Sequence, residues 1–373
     1  MQRSTRQPWG RVPVKCKPIG SLSAKIAFVG EAPGKDEEEY GYPLVGVSGR
    51  EFYQMLYEAE LVHEPLPDRS WIHPFNMISL WKQSNLFLTN AFDERPGDNK
   101  IRLFTCPRDE ASEKSISLGP MATGRYVRSE YIHNLDRLRT ELLSCSPNII
   151  VPLGNIACWA LLNSFGISKF RGKVIQGKLL PIKTLPTYHP AAMLRNWKWR
   201  TIIIADLQKI KRESEFDEIR RPKREIWTQP TLRDIRLFHD KFITKSPYVS
   251  VDIETVDQRI ITHLGLSPSP SAAIVIPFLH NRRLRWSKQD LHFILEYLGG
   301  LFKEKKLIFQ NCLYDVPWLW KEFGLKAIPS EDTMLIHHSL YPEMQKSLDF
   351  MGSIYTDELG WKHLRKSFKR EDE

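Results

Sequence analysis

The spacing of apolar residues changes character near residue 230. Before it, residues 25–29, 86–90, 148–153 and 180–186 are largely apolar runs of strand length, as expected for strands covered on both faces. Between them lie segments with helical spacing. Residues 49–60 put Phe52, Met55, Leu56 and Ala59 on one face, and residues 129–144, 155–164 and 201–212 read as further helices. Strand alternating with helix predicts a parallel-sheet α/β/α sandwich.

Beyond residue 230 the order differs. A helix at 231–242 precedes strands at 248–253, 262–266 and 272–277 in the manner of a meander. A helix at 288–298 and a strand at 306–310 follow. The charged stretch 213–225, which holds Arg220-Arg221-Pro222-Lys223-Arg224, reads as a hinge. The chain is therefore divided into a domain at 1–212, a linker at 213–229 and a second α/β domain at 230–373.

At 373 residues and 42% hydrophobic content, two cores are expected. The net charge is +10, and residues 1–215 carry 30 Lys+Arg against 22 Asp+Glu, a balance that suits a phosphate-rich partner. The five cysteines, Cys16, Cys106, Cys145, Cys158 and Cys312, form no C-x-x-C pair. With a polar N-terminus and no apolar run near membrane-span length, a cytoplasmic protein with reduced thiols and no membrane partner is expected.

Candidate chemistry gathers at the predicted strand ends, where open α/β sheets bind ligands. The first strand runs into Gly30-Glu31-Ala32-Pro33-Gly34, followed by Gly41-Tyr42-Pro43-Leu44-Val45-Gly46. The second ends at Thr89-Asn90, and the fourth precedes His189-Pro190-Ala191-Ala192. Gly30 and Gly34 let backbone approach a ligand. Glu31 is placed to orient water, Asn90 offers an acceptor and two donors to a ligand, and His189 can hydrogen-bond the same ligand.

These motifs, with Arg95-Pro96 and residues 152–157, resemble the uracil-DNA glycosylase superfamily, most closely its family-4 type, over roughly residues 20–212. The resemblance implies that Glu31 and His189 are catalytic and that Gly30, Gly34, Leu44 and Asn90 form the uracil site. Glu37 would help shape the pocket, and Met193, Leu194 and Arg195 would enter the gap left by a flipped base. Three departures accompany it. The four cysteines of the family-4 iron–sulfur cluster are lacking, with Cys16 alone and Glu94 where a cluster cysteine is expected, so no cofactor is expected here. Leu44 replaces the aromatic that stacks on uracil, and residues 61–85, with Trp71 and Trp81, look like an insertion.

In the second domain, Asp252 and Glu254 lie two apart on a predicted strand and so share a face. Their hydrophobic neighbours make that face costly for carboxylates unless a cation neutralises them. With Asn311-x-x-Tyr314-Asp315 and Asp332-Thr333-Met334, they resemble the DEDD-type 3′–5′ exonuclease domain of family-A DNA polymerases over roughly residues 245–357, a ribonuclease-H-like α/β fold. That resemblance implies Asp252, Glu254 and Asp315 as ligands of Mg or Mn and Asn311 as a contact to the DNA strand. The family's fourth acid, preceded four residues earlier by Tyr or His, is not evident, and Asp357 in Tyr355-Thr356-Asp357 is a makeshift candidate. The whole resembles the front of a phage-type polymerase, and DNA and a polymerase subunit are the expected partners. The second domain is therefore expected to be an incomplete exonuclease, and the leading expectation is a uracil-excising enzyme carrying it. The alternatives are a DNA-holding or uracil-sensing accessory module, and an exonuclease with a glycosylase-fold platform.

Overall fold

The computed structural model describes residues 15–66, 73–220, 222–256, 260–280 and 283–358. It divides into two compact units: residues 1–219 with 352–373, and residues 220–351. Trp71 and the chain ends at 1–14 and 359–373 lie outside the described residues. Among the described residues no helix is long and apolar enough to cross a membrane.

The first unit is built on four parallel strands. Ile26–Gly30 lies between Phe87–Asn90 and Ile149–Pro152, and Lys183–Thr184 pairs with the latter. Ile19–Gly20 and Ile175–Gln176 close the two edges in antiparallel fashion. Every residue of Ile26–Gly30 is buried. Ala27 and Val29 join a core containing Leu138, Leu142, Trp159 and Leu161 from the helices His133–Cys145 and Gly154–Leu162. Phe28 packs its ring edge-on against Phe52 of the helix Val47–Glu58, 5.1 Å between centroids. Helices thus cover both sheet faces, as the sandwich pattern predicts.

The expected fourth strand at 180–186 shrinks to Lys183–Thr184. Around Pro186 the backbone bonds continue, with Leu185 N–H donating to the Ile150 carbonyl and Thr187 N–H to that of Pro152. Regular pairing is interrupted where Pro152 of the neighbouring strand has no N–H to give. Thr187 recovers a parallel bridge to Leu153. The C-terminal segment also joins this unit, where it meets two buried cations. Arg171 donates to Asp206 and to the Ser353 hydroxyl, and Lys209 Nζ donates to the carbonyls of Gly172 and Thr356 at 2.9 and 2.8 Å.

The second unit holds a six-stranded mixed sheet. Tyr248–Val256, Ile260–Ser269 and Ala272–Pro277 form an antiparallel meander, while Lys306–Phe309 and Pro329–Asp332 add parallel strands beyond Tyr248–Val256. Glu225–Trp227 pairs with Ala272–Pro277, so part of the expected linker 213–229 is a strand of this sheet. Val249, Val251 and Ile253 enter one core with Ile294, Leu298, Leu301 and Phe302 of the helix Lys288–Glu304. This is the ribonuclease-H-like arrangement expected for the second domain.

Candidate active site

Register brings the first site together. Gly30 pairs with Asn90, Val29 with Pro152, and Leu153 with Thr187. The residues that follow, Glu31, Gly154 and His189, therefore leave the sheet at the same C-terminal edge as Asn90. Two glycines are required there. A Cβ on Gly30 would stand 2.2 Å from Asn90 Oδ1. Gly154 has φ +87°, and its Cβ would stand 3.0 Å from that of His189.

His189 is the N-cap of the helix Pro190–Arg195, and its Nδ1 accepts from the Ala191 backbone N–H at 3.2 Å. Burial, with the nearby Arg195 charge, pushes its pKa down to about 4. The ring is therefore neutral at pH 7, and a neutral ring whose Nδ1 accepts carries its proton on Nε2. Burial raises the Glu31 carboxyl above its ordinary pKa, against the opposing pull of Arg195. Arg195 thus acts electrostatically on both groups assigned to catalysis. Asn90 is 7% exposed, and its backbone carbonyl accepts from the Arg137 guanidinium at 2.7 Å.

Glu37 folds back on its own loop. Its Oε2 accepts from Gly34 N–H at 2.5 Å, closing the first turn of the helix Lys35–Tyr40. Leu44 is 4% exposed and has φ +54°, a left-handed backbone that non-glycine residues seldom take. Its carbonyl accepts from the indole N–H of Trp81 at 2.9 Å. Trp81 comes from the segment 61–85, which forms the helix Pro74–Gln83, and it is fully buried against Tyr53 and Phe52. The apparent insertion therefore supports the loop that carries Leu44.

The expected wedge loses one of its three residues. Met193 is 1% exposed and packs inward, so it is not available to enter DNA. Leu194 is 51% exposed, and Arg195 is exposed beside it. Successive helical residues point about 100° apart, so the three cannot share one direction.

The cysteines of this unit are dispersed. Cys16 lies near the Glu37 carbonyl, Cys106 near that of Val127 and Cys145 near that of Ala24, while Cys158 is buried within Gly154–Leu162. Glu94, where a cluster cysteine was expected, is flanked by ion pairs: Arg95 with Glu38 at 2.9 Å and Asp93 with Lys15 at 3.1 Å. These residues do not fit a four-cysteine cluster.

In the second unit Asp252 and Glu254 do share a face, but it is the exposed one. The expectation that apolar neighbours desolvate them is corrected: those neighbours turn to the opposite side. Of the three acids expected to hold metal, the buried one is Asp315, 4% exposed on the helix Cys312–Phe323. Pairing between Tyr248–Val256 and Lys306–Phe309 stops after Ser250, and Asp315 Oδ1 accepts the Ile253 N–H at 3.1 Å. Burial and the Asp252 charge push its pKa up to about 6.

Asp332 has a different task. Its carboxylate accepts from the backbone N–H groups of Asn311, Cys312, Met334 and Leu335 at 2.7–3.2 Å, capping two helices at once. Although burial raises its pKa, these donors pull it below the ordinary value. Asn311, with φ +66°, is the N-cap that directs the helix bearing Asp315. Asp357 pairs with Arg212 at 3.2 Å within the first unit. Among the described residues no three His, Cys, Asp or Glu side chains converge on one position. Asp252 and Asp315 nevertheless suit Mg²⁺, which is commonly held by one or two carboxylates with water and substrate phosphate completing its shell.

The chain belongs to the uracil DNA glycosylase superfamily, which it matches over residues 18–219, more than half its length. Within that superfamily it is similar to type-4 uracil-DNA glycosylases. The one from Archaeoglobus fulgidus is 29% identical over 201 residues, 52% of this chain and 78% of that protein. The one from Sulfurisphaera tokodaii is 31% identical over 199 residues, covering 52% and 71%. Residues 239–367 match a 3′–5′ exonuclease family. A DNA polymerase of Bacillus phage SP01 is 26% identical over 267 residues, covering 62% of this chain and 28% of the polymerase.

Proposed function

We propose that the first unit hydrolyses the N-glycosidic bond of uracil in DNA and needs neither a metal nor an iron–sulfur cluster. The observation that carries this reading is the neutral His189, with Nδ1 occupied by Ala191 N–H, at the sheet edge shared with Glu31 and Asn90. Asn90 reads the O4/N3 edge of a flipped uracil. As the bond from C1′ to the base breaks, its electron pair passes to the base, and His189 Nε2–H donates to O2, where negative charge grows. A water held by Glu31 adds its oxygen to C1′ and gives its proton to the carboxylate.

Similarity to the type-4 enzymes supports the reaction class, and the dispersed cysteines support its independence of a cluster. The test is excision from a uracil-containing oligonucleotide by the His189→Ala and Asn90→Asp variants. A loss of about 10²–10³ in rate is expected from removing one such donor. Unchanged excision would overturn the residue assignments.

For the second unit we infer metal-dependent 3′–5′ exonuclease chemistry on DNA. The observation favouring it is Asp315, buried and raised in pKa beside Asp252, which is how carboxylates behave where a cation is wanted. Asp252 and Asp315, with Glu254 on the same exposed strand face as Asp252, would hold Mg or Mn. The metal supplies Lewis-acid activation of water when bound. Asn311 would contact the strand. Shortening of 3′ ends that requires Mg or Mn and is lost in Asp252→Ala is the expected result; shortening unaffected by that substitution would contradict it.

A further inference from the structure

From Tyr188 to Ala205 the chain carries three cations, Arg195, Lys198 and Arg200, and no acid. Two tryptophans in this stretch behave oppositely. Trp199 packs inward on Tyr188, 4.3 Å between ring centroids. Trp197 stands 66% exposed. Leaving an indole in water forgoes the stabilisation its burial would bring, so the core gives no reason for it.

The exposed ring is held by a defined support. The Arg200 guanidinium lies 5.3 Å from the Trp197 ring centroid. That guanidinium is itself fixed by two bonds to Glu58, at 2.8 and 2.5 Å. A cation against the indole orients the ring and leaves much of its surface open. The place matters as well. The helix Pro190–Arg195 begins at His189, and at about 1.5 Å per residue its far end lies roughly 9 Å on, the span of about two to three stacked nucleotides. Asn196 then turns to extended backbone and Trp197 follows it. Arg195 and Lys198, both exposed, flank the ring in sequence.

We propose that Trp197 is a stacking platform for an unpaired nucleobase of single-stranded DNA, lying a few nucleotides from the uracil held at His189, with Arg195 and Lys198 taking the adjoining phosphates. In a duplex both faces of each base are already covered by neighbours, so an exposed indole beside the site selects an unpaired strand. A base offers the ring a π-face whatever its sequence, so the platform is sequence-tolerant. The position of the uracil rests on the glycosylase reading above; the stacking itself does not.

The experiment measures binding of a fluorescent oligothymidylate without uracil, and of the same strand in duplex, by the full chain at fixed salt. Wild type, Trp197→Ala and Trp197→Phe are compared, with excision from single- and double-stranded uracil DNA measured in parallel. Loss of one stacked base weakens single-strand binding by roughly tenfold in Trp197→Ala, while Trp197→Phe stays within about threefold. Duplex binding changes by less than about threefold.

Wild-type single-strand affinity in Trp197→Ala overturns the platform, and equal loss on single strand and duplex overturns its selectivity. If no protein excises uracil yet Trp197→Ala still loses single-strand affinity, the platform stands and the glycosylase reading falls. Because the side chain is exposed, the fold survives the change, and coincident thermal melts of the three proteins verify this.

Discussion

Trp81 donates its indole N–H to the carbonyl of Leu44 across 2.9 Å and 37 residues of sequence. The bond holds a non-glycine residue at φ +54°, in the loop that carries the glycosylase motif. Gly49 completes the clamp, since a Cβ there would stand 1.8 Å from the same carbonyl oxygen. Replacing Trp81 by Phe keeps an aromatic ring and removes the donor, leaving a buried carbonyl short of a partner. A loss of about 1–3 kcal/mol in stability is expected. Chemical denaturation measures it, and excision should fall with KM rising more than kcat drops. An unchanged unfolding midpoint would show that the bond is dispensable.

Gly154 sets the position of His189. An alanine there must accept φ +87°, at a cost of about 1–2 kcal/mol, and place its Cβ 3.0 Å from that of His189. Gly154→Ala should retain native circular dichroism and lose excision by about tenfold or more, because small displacements of a reacting group are costly. Full activity would separate this glycine from the site.

The acid limb of the pH profile should belong to Glu31 and not to His189. His189 stays neutral down to about pH 4, so acidification from neutral pH does not first charge the imidazole. Glu31 is held above its ordinary pKa by burial, so it takes up a proton earlier as pH falls and loses its ability to accept one from water. Excision is expected to be flat near neutral pH and to fall on the acid side. Glu31→Gln should lower the rate and flatten that limb. A limb centred near the ordinary histidine pKa, about 6.5, would contradict the assignment.

Asp332 joins two helices of the second unit. Asp332→Ala strands four backbone N–H groups at their N-termini. At about 0.5–2 kcal/mol per cap, the two helices together should lose roughly 1–4 kcal/mol. Unfolding of the second unit should shift to lower denaturant, and metal-dependent trimming should fall because the helix bearing Asp315 is no longer anchored. No shift would show that water satisfies these groups equally well.

Much of the architecture is legible in residue spacing. The strand Ile26–Gly30 is apolar at each position because both faces are covered, and the alternation of Val249, Val251 and Ile253 with Ser250, Asp252 and Glu254 marks a one-sided strand. Alternation says that Asp252 and Glu254 share a face, yet the same pattern assigns that face to solvent. The side chains of Met193 and Leu194 differ for a related reason: one helical step turns a buried methionine into an exposed leucine. The helix Lys288–Glu304 runs past Gly299-Gly300, where local propensity favours a stop, because Leu301 and Phe302 bury in the core. The support that Trp81 gives Leu44 has no local signal at all, since its acceptor is a backbone carbonyl brought near only by folding.

The central claim is that the first unit breaks the glycosidic bond of uracil with its own side chains. The most direct measurement is excision from a uracil-containing oligonucleotide in EDTA, with alkali used to cleave the abasic product and with His189→Ala alongside. Chelation silences any metal-dependent trimming by the second unit. The account predicts alkali-labile sites at uracil in EDTA, undiminished by the chelator and reduced about 10²–10³-fold in His189→Ala. No product, or product that survives the substitution intact, would contradict it and favour a DNA-holding role for this unit.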